Sequence, residues 1–384
     1  MRSPERDTAR ITGGAGRSVK GAPVDPAVPA SELPPAGVVP ARPELGGGLA
    51  TPSFDLPPGA SVGLPGRPAP LRIGPKTFVW GLRTYVMGIL NVTPDSFSGD
   101  GLLARAGHRS PLELAVDEGR RLVAEGADIL DVGGESTRPG HAPVSAEEEI
   151  QRVVPVVAAL RTELPDVPLS IDTTKASVAE AALDAGADMV NDVWGCRAEG
   201  ALLRLVAERR VPIVLMHNRA EARYSNLMAE VIGELQAGIE RAVEAGIEPD
   251  AIIVDPGFGF GKAPAHNLAL LRQLDLLRVL GRPILVGTSR KSTLGRVLDL
   301  PPEERLEATL ATTALAIAAG ADVVRVHDVA ANVRAARMTD AVVRGPISAP
   351  RRHAGGRATA SGSTAPGSGP GSAPGVAPSR EGRR

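Results

Sequence analysis

The sequence predicts an α/β chain folded as a (β/α)8 barrel, and three observations carry that reading. Short apolar runs alternate with longer amphipathic ones; eight of each occur; and a helix-ending turn recurs at a fixed interval. Strand candidates are Tyr85–Leu90, Asp128–Val132, Leu169–Ile171, Met189–Val190, Pro212–Met216, Ile252–Val254, Ile284–Val286 and Val323–Val326. Helices are expected over Pro111–Glu125, Ala146–Arg161, Ala176–Ala185, Glu199–Arg209, Met228–Ala245, Asn267–Leu277, Pro302–Ala319 and Val329–Thr339. Strict alternation implies parallel strands joined by crossover helices, and eight repeats is the number that closes a barrel. Gly126, Gly186 and Gly246 lie 60 residues apart, two βα units each time, and Gly126, Gly186 and Gly320 sit in Gly-Ala-Asp turns. Glycine suits the left-handed conformation of a helix C-cap, so each marks a helix end before a strand. Ahead of the first strand, Arg72–Ile73 and Thr77–Trp80 flank Gly74-Pro75 as a small hairpin placed to plug the barrel's bottom.

Proline sets the boundaries. Of 35 prolines, 14 fall in residues 1–70, 15 in residues 71–345 and 6 in residues 346–384. The 71–345 segment is therefore the ordered barrel, close to the usual length of about 250 residues. The two flanking arms, rich in Pro, Gly, Ser and Ala, are expected to be disordered, because they cannot bury enough apolar area to offset ordering entropy.

Composition excludes several classes. The net charge is -1, so no global field draws nucleic acid or an anionic membrane. One cysteine, Cys196, leaves no disulfide framework and no multi-Cys zinc site, and a reducing cytoplasmic setting is expected. The first residues carry acids and no apolar run, unlike a secretory signal, and the longest apolar stretch, Ala314–Ala319, is too short to span a bilayer. Aromatics make up only 2% of the chain, which disfavours a base-stacking platform and points to an aliphatic core.

In a barrel of this kind chemistry sits where strands end and βα loops begin. Asn91 ends the first strand, Asp131 lies in the second, Asp172 ends the third and Asn191 the fourth. His217 follows the fifth strand, Asp255 the sixth, Ser289 and Lys291 the seventh, and Arg325 and His327 lie on the eighth. A single Asp after a strand is commonly a turn residue, and His217 alone reads as structural. Polar termini on every strand form a pattern that turns do not explain. Carboxylate and amide groups on Asp172, Asn191 and Asp255 can pair with the polar edge of a flat heterocycle, with Lys291 as a further donor. Arg325 and His327 alternate along one strand, so both point the same way and suit an anion such as a diphosphate with a metal. Gly257, Gly259 and Gly261 alternate with Phe258 and Phe260, which suggests close backbone approach beside a stacking wall.

Seven strings in one order resemble the dihydropteroate synthase family of pterin-binding TIM barrels. They are Met87-Gly-Ile-Leu-Asn-Val-Thr-Pro-Asp-Ser-Phe-Ser98, Asp131-Val-Gly-Gly-Glu-Ser-Thr-Arg-Pro-Gly140, Ser170-Ile-Asp-Thr173, Asn191-Asp192, Asp255-Pro-Gly-Phe-Gly-Phe-Gly-Lys262, Ser289-Arg-Lys-Ser292 and Arg325-Val-His-Asp328. They cover about Thr77 to Val343. The resemblance implies a transferase of folate biosynthesis that joins 4-aminobenzoate to 6-hydroxymethyl-7,8-dihydropterin diphosphate and releases diphosphate. It implies that Asp172, Asn191, Asp255 and Lys291 hold the pterin, and that Asn91 binds Mg2+. Arg325 and His327, with Asn91, would take the diphosphate. Thr137, Arg138, Pro139 and Ser289 would form the aminobenzoate side, with Phe260 and Lys291 packing nearby. Asp172, Asp255, Lys291, Arg325 and His327 are the expected catalytic set, and a homodimer through late helices is implied.

Two loops depart from the family's pattern. Ser-Phe-Ser-Asp-Gly-Gly is replaced by Ser96-Phe-Ser-Gly-Asp-Gly101, which moves the acid to Asp100. After the fifth strand, Met-His-Met is replaced by Met216-His-Asn-Arg219. The same pterin set would also serve a methyltransferase passing a methyl group from a reduced folate to a corrinoid, but the Ser-Thr-Arg-Pro-Gly loop and the Arg325/His327 pair favour diphosphate chemistry. The shifted Asp100 supports a third reading, a non-catalytic pterin-binding relative.

Overall fold

The structure, a computed structural model, describes residues 66–92, 110–135, 144–195 and 200–345. The expected disordered arms at 1–70 and 346–384 therefore lie outside the described residues, save for 66–70.

Eight parallel strands form the barrel. They are β3 (Tyr85–Asn91), β4 (Ile129–Gly133), β5 (Leu169–Asp172), β6 (Met189–Asp192), β7 (Ile213–Met216), β8 (Ile252–Asp255), β9 (Leu285–Val286) and β10 (Val323–Val326). Neighbours in the sheet follow chain order, β10 pairs with β3, and a bridge from Val254 to Ile284 joins β8 to β9. Below them, β1 (Leu71–Ile73) and β2 (Lys76–Phe78) make the expected antiparallel hairpin.

Around the strands run α1 (Pro111–Ala124), α2 (Ala146–Glu163), α3 (Ala176–Asp184), α4 (Ala201–Arg209), α5 (Leu227–Glu244), α6 (Pro264–Arg272), α7 (Ser292–Leu298), α8 (Leu306–Ala319) and α9 (Val329–Val343). Capping explains several starts: Ser110 and Glu113 form a capping box, and the Ser145 and Asn226 side chains accept from backbone N–H groups three residues on.

The later helices differ from the sequence expectation. The sixth ends at Arg272 and continues as a 3-10 segment, Leu274–Leu280. A short helix, α7, precedes Pro301-Pro302, where the sequence pattern suggests a loop; left-handed Asp299 ends it, and the expected Pro302–Ala319 helix begins properly only at Leu306.

The core has two parts. Outside the strands, aliphatic side chains fill the space beneath the helices, as the composition implied. Inside the barrel's lower end the filling is partly aromatic. Phe78, Trp80 and Tyr85 pack together, with Phe78 and Tyr85 ring centroids 4.6 Å apart, on an inward layer of Met87, Ile129, Met189, Val214, Ile253, Leu285 and Val323. The hairpin is thus a plug, and three of the chain's nine aromatics are spent there.

The Gly-Ala-Asp turns do more than end helices. Gly126, Gly186 and Gly320 adopt φ of 106°, 111° and 111°, the left-handed side that glycine favours. The aspartate that follows reaches sideways to the strand before it. Asp128 accepts the Val86 N–H, Asp188 the Leu169 N–H, and Asp322 the Ile284 N–H. Each carboxylate thereby satisfies a backbone donor at the mouth of the neighbouring strand, where the sheet's own ladder does not reach it. Arg161 adds a guanidinium to Asp188, and a Cβ on Gly74 would meet that carboxylate at 2.4 Å, so the hairpin turn seats directly on it.

Removing one of these carboxylates strands a backbone donor. Asp188→Ala is expected to lower the unfolding free energy by about 2 kcal/mol in urea titration, while Asp166→Ala, at an exposed position, does not change it. Equal midpoints for the two variants would refute the strand-clamping role.

Candidate active site

The polar rim is built by the two-residue period of a strand. Side chains two apart share a face, so the residue two positions above each apolar plug residue also points inward. Above Ile129 comes Asp131, above Met189 comes Asn191, above Ile253 comes Asp255, and above Val323 comes Arg325. The register places Asp131 beside Ser170, and Asp172 between Gly133 and Asn191. A Cβ on Gly133 would stand 3.5 Å from the Asp172 Cβ and 3.9 Å from the Asn91 Oδ1, so the bare backbone there opens space between those two side chains.

Arg325 is the centre of this layer. Its Nε donates to Asp131 Oδ2 and its Nη2 to Asp172 Oδ2, each at 2.6 Å, and Asn191 Nδ2 donates to the same Asp131 oxygen at 3.0 Å. All four residues are largely or fully buried. Burial works to lower the Arg325 pKa, but Asp131 and Asp172 outweigh it and the net shift is upward. Burial pushes the Asp172 carboxyl up to about 7, with Arg325 opposing. Because that guanidinium stays charged and lies 2.6 Å away, we take the pair as ionised at neutral pH. The second oxygens of Asp131 and Asp172, and Ser170 Oγ, are buried with no hydrogen-bond partner among the described residues.

Asp255 stands on the far wall. Its Oδ1 accepts the Gly257 N–H at 2.7 Å. Burial pushes its carboxyl up to about 6, resisted by that hydrogen bond and by Lys291. Lys291 Nζ lies 3.7 Å from the Phe260 ring centroid, a cation–π contact, and Gly259 is needed because a Cβ would meet the Lys291 stem at 2.9 Å. Lys291 is aimed by its neighbour: Arg290 takes φ 56°, a strained value for a side chain of its size, and is held by Asp328 and by Thr309.

Ser289 and His327 form a pair. Ser289 Oγ accepts the His327 backbone N–H at 3.2 Å and lies 3.0 Å from His327 Nδ1. The direction of that bond follows the tautomer: where the hydroxyl donates to Nδ1, the ring proton sits on Nε2 as a donor.

A second buried centre supports the β8 loop. Lys262 Nζ lies 2.8 Å from His217 Nδ1 and donates to the Gly257 and Phe260 carbonyls at 3.1 Å each. Burial pulls its pKa down to about 7. His217, whose own position suggested a structural residue, is the anchor of this lysine. The unusual loop after β7 braces the same turn. Arg219 pairs with Glu230 and Glu234 and lies 4.4 Å from the Tyr224 ring centroid, and Tyr224 donates its hydroxyl to the Gly261 carbonyl at 2.8 Å. Cβ atoms on Gly257 and Gly261 would strike the His217 and Arg219 carbonyls at 1.9 Å and 2.3 Å.

Of the residues expected from sequence, Asp172, Asn191, Asp255, Phe260, Ser289, Lys291, Arg325, His327 and Asn91 all face this mouth or its loops. Thr137, Arg138 and Pro139, the shifted Asp100 and Cys196 lie outside the described residues. Asp131 was placed at the rim from sequence without a role, and Lys262, Arg290 and Asp328 were given none. For Asp131 the signal was present: it follows Ile129 at the same two-residue step as the residues that were chosen. Among the described residues no three His, Cys, Asp or Glu cluster as a metal site. Asn91 offers an amide oxygen at the mouth; Mg2+ often takes only one or two protein ligands beside substrate phosphates and water, so such an ion fits there.

Residues 87–327 match the family model described as pterin binding enzyme. A dihydropteroate synthase of Clostridium beijerinckii is 50% identical over 275 residues, which span 71% of this chain and all of that protein. Among solved structures, Clostridium difficile dihydropteroate synthase, determined with pteroic acid, aligns with a TM-score of 0.66 and 49% identity over 70% of this chain and 99% of that one. The Xanthomonas albilineans enzyme with 4-aminobenzoic acid gives a TM-score of 0.64 and 48% identity, covering 68% and 93%.

The Asp255 shift fixes a sign. Between an ordinary value near 3.8 and about 6, the folded state keeps a proton that the unfolded chain has lost, so stability falls as pH rises through that window. At about pH 8, Asp255→Asn should raise the unfolding free energy by on the order of 2 kcal/mol, and near pH 4 it should not. A gain of the same size at both pH values would refute desolvation as its cause.

Proposed function

The chain belongs to the dihydropteroate synthase family of pterin-binding enzymes, and we propose that its rim carries out that family's condensation. It is a transferase: 4-aminobenzoate and 6-hydroxymethyl-7,8-dihydropterin diphosphate become dihydropteroate and diphosphate. The observation that carries the reading is the inward layer of Asp172, Asn191, Asp255 and Arg325 on four neighbouring or facing strands, in a chain half identical to enzymes of this name. Methyl transfer to a corrinoid is set aside, since these relatives, at about half identity, are dihydropteroate synthases.

The proposed division of labour joins the rim's geometry to the family resemblance. Asp172, Asn191 and Asp255 present acceptors and an amide to the flat edge of the pterin, with Lys291 as donor over the Phe260 wall. Arg325 and the His327 Nε2 proton take charge developing on the departing diphosphate. Asn91 would hold Mg2+, which when bound lowers the charge of that leaving group. Thr137, Arg138, Pro139 and Ser289 receive the aminobenzoate. As the methylene C–O bond breaks, diphosphate leaves with its electron pair and Asp255 favours cation character on that carbon; the arylamine nitrogen bonds to it and then passes a proton to water or to the released diphosphate. The amine is already a nucleophile, so the protein's contribution is positioning and electrostatics. The lone cysteine fits the reducing cytoplasm in which we place the enzyme, and no helix of the described residues is long and apolar enough to cross a membrane.

A homodimer through the late helices is part of this proposal. Leu315 on α8 and Met338 and Val342 on α9 are 57%, 66% and 71% exposed, and α8 is apolar around most of its circumference. Such a patch on two adjacent helices favours a covering surface.

With both substrates and Mg2+, the purified chain should form dihydropteroate and diphosphate in equal amounts. Asp172→Ala and Arg325→Ala should each lower kcat/KM by about a hundredfold or more. Pterin binding without turnover would instead favour a non-catalytic relative. Leu315→Glu combined with Met338→Glu should halve the mass measured by sedimentation; an unchanged mass would place any dimer elsewhere.

A further inference from the structure

Asp131 touches neither mouth nor surface, yet it holds the most important side chain of the site. It is fully buried in the middle of β4, two residues before the strand ends, and Arg325 donates its Nε there at 2.6 Å while Asn191 donates to the same oxygen. The other end of the guanidinium, Nη2, is on Asp172. The roles of Asp172 and Arg325 therefore conflict in this arrangement. A heterocycle edge that pairs with both oxygens of Asp172 competes with Nη2 for Oδ2, and an anion competes with the two carboxylates for Nε and Nη2.

Resting on the functional reading above, we propose that Asp131 is a positioning residue that makes Arg325 a two-position latch. Without ligand, Nε is tethered to Asp131 and Nη2 closes over Asp172. A pterin that takes Asp172 frees the Nη2 end, and the Nε tether keeps the guanidinium in the pocket, on the side of the strand it shares with His327, ready for an anion. The buried charge is never left without a partner: Asp131 neutralises Arg325 in both positions, which a guanidinium so deep in the barrel requires.

The consequence is thermodynamic. A pterin alone must break the Arg325–Asp172 bond, and so must diphosphate alone. When both bind, the bond is broken once. The two ligands should therefore strengthen each other, and by reciprocity the factor is the same in either direction.

The test uses the full chain, 6-hydroxymethylpterin and magnesium pyrophosphate in titration calorimetry, each ligand measured with and without saturating amounts of the other. We expect pterin to tighten about fivefold or more with pyrophosphate present, and pyrophosphate to tighten by the same factor with pterin. In Asp131→Asn both ligands should still bind, but the factor should rise, because pterin then leaves the guanidinium without a carboxylate until pyrophosphate arrives; a purely structural role would weaken each binding and leave the factor intact. A factor of one in the unsubstituted chain overturns the latch even if the variant fails to fold, and an unchanged factor in Asp131→Asn overturns the role of Asp131. Absence of any pterin binding would instead overturn the functional reading, and the latch with it, and is told apart by the pterin titration alone.

Discussion

One guanidinium shared by two carboxylates sets the conditions for the rest of the barrel. An ion taken so far from water costs several kcal/mol unless another neutralises it. Arg325, Asp131 and Asp172 meet this only because the stagger of three strands brings their inward side chains together, and that stagger holds because the bottom of the barrel is fixed. The aromatic plug beneath them and the aspartates of the Gly-Ala-Asp turns set where each strand begins. Since a strand's faces alternate, a slip of one residue would turn every charge of the layer outward and bring apolar side chains in. The site is thus an outcome of register, and register is decided at the opposite end of the molecule.

The upper loops are positioned by a second tier of contacts. Arg290 adopts a strained conformation between Ser289 and Lys291, and Asp328 holds it there from the residue after His327. One ion pair therefore links the β9 and β10 loops, with a proposed ligand-facing residue adjacent to each partner. Lys262 does similar work between the β7 and β8 loops by capping carbonyls of a glycine-rich turn that has few side chains of its own.

Much of this was legible in the sequence. Strand and helix alternation, the sixty-residue interval and the hairpin at Gly74-Pro75 all correspond to elements of the fold. The polar strand ends gave nearly every described residue of the mouth, because strand periodicity makes inward positions countable. What was missed shares a cause. Asp131 stands at an inward step, but its partner Arg325 is 194 residues on; Lys262 meets His217 across 45 residues and Asp328 meets Arg290 across 38, separations that no local spacing encodes, and Arg290 owes its importance to a backbone angle. The helix before Pro301 escaped notice for a different reason: seven residues are too few for an amphipathic period to show. The loop after β7 looked anomalous as a string, and only its contact with Gly261 gives it a purpose.

That contact changes how the two loops can be treated as parts. Gly257 and Gly261 lie so close to the His217 and Arg219 carbonyls that neither loop has a shape independent of the other. In a chimera between relatives, exchanging one loop would import a collision or leave a gap, however well the new loop suited its own strand. The smallest transplantable unit on this side of the barrel is the pair, from Met216 to Lys262, with α5 carried between them.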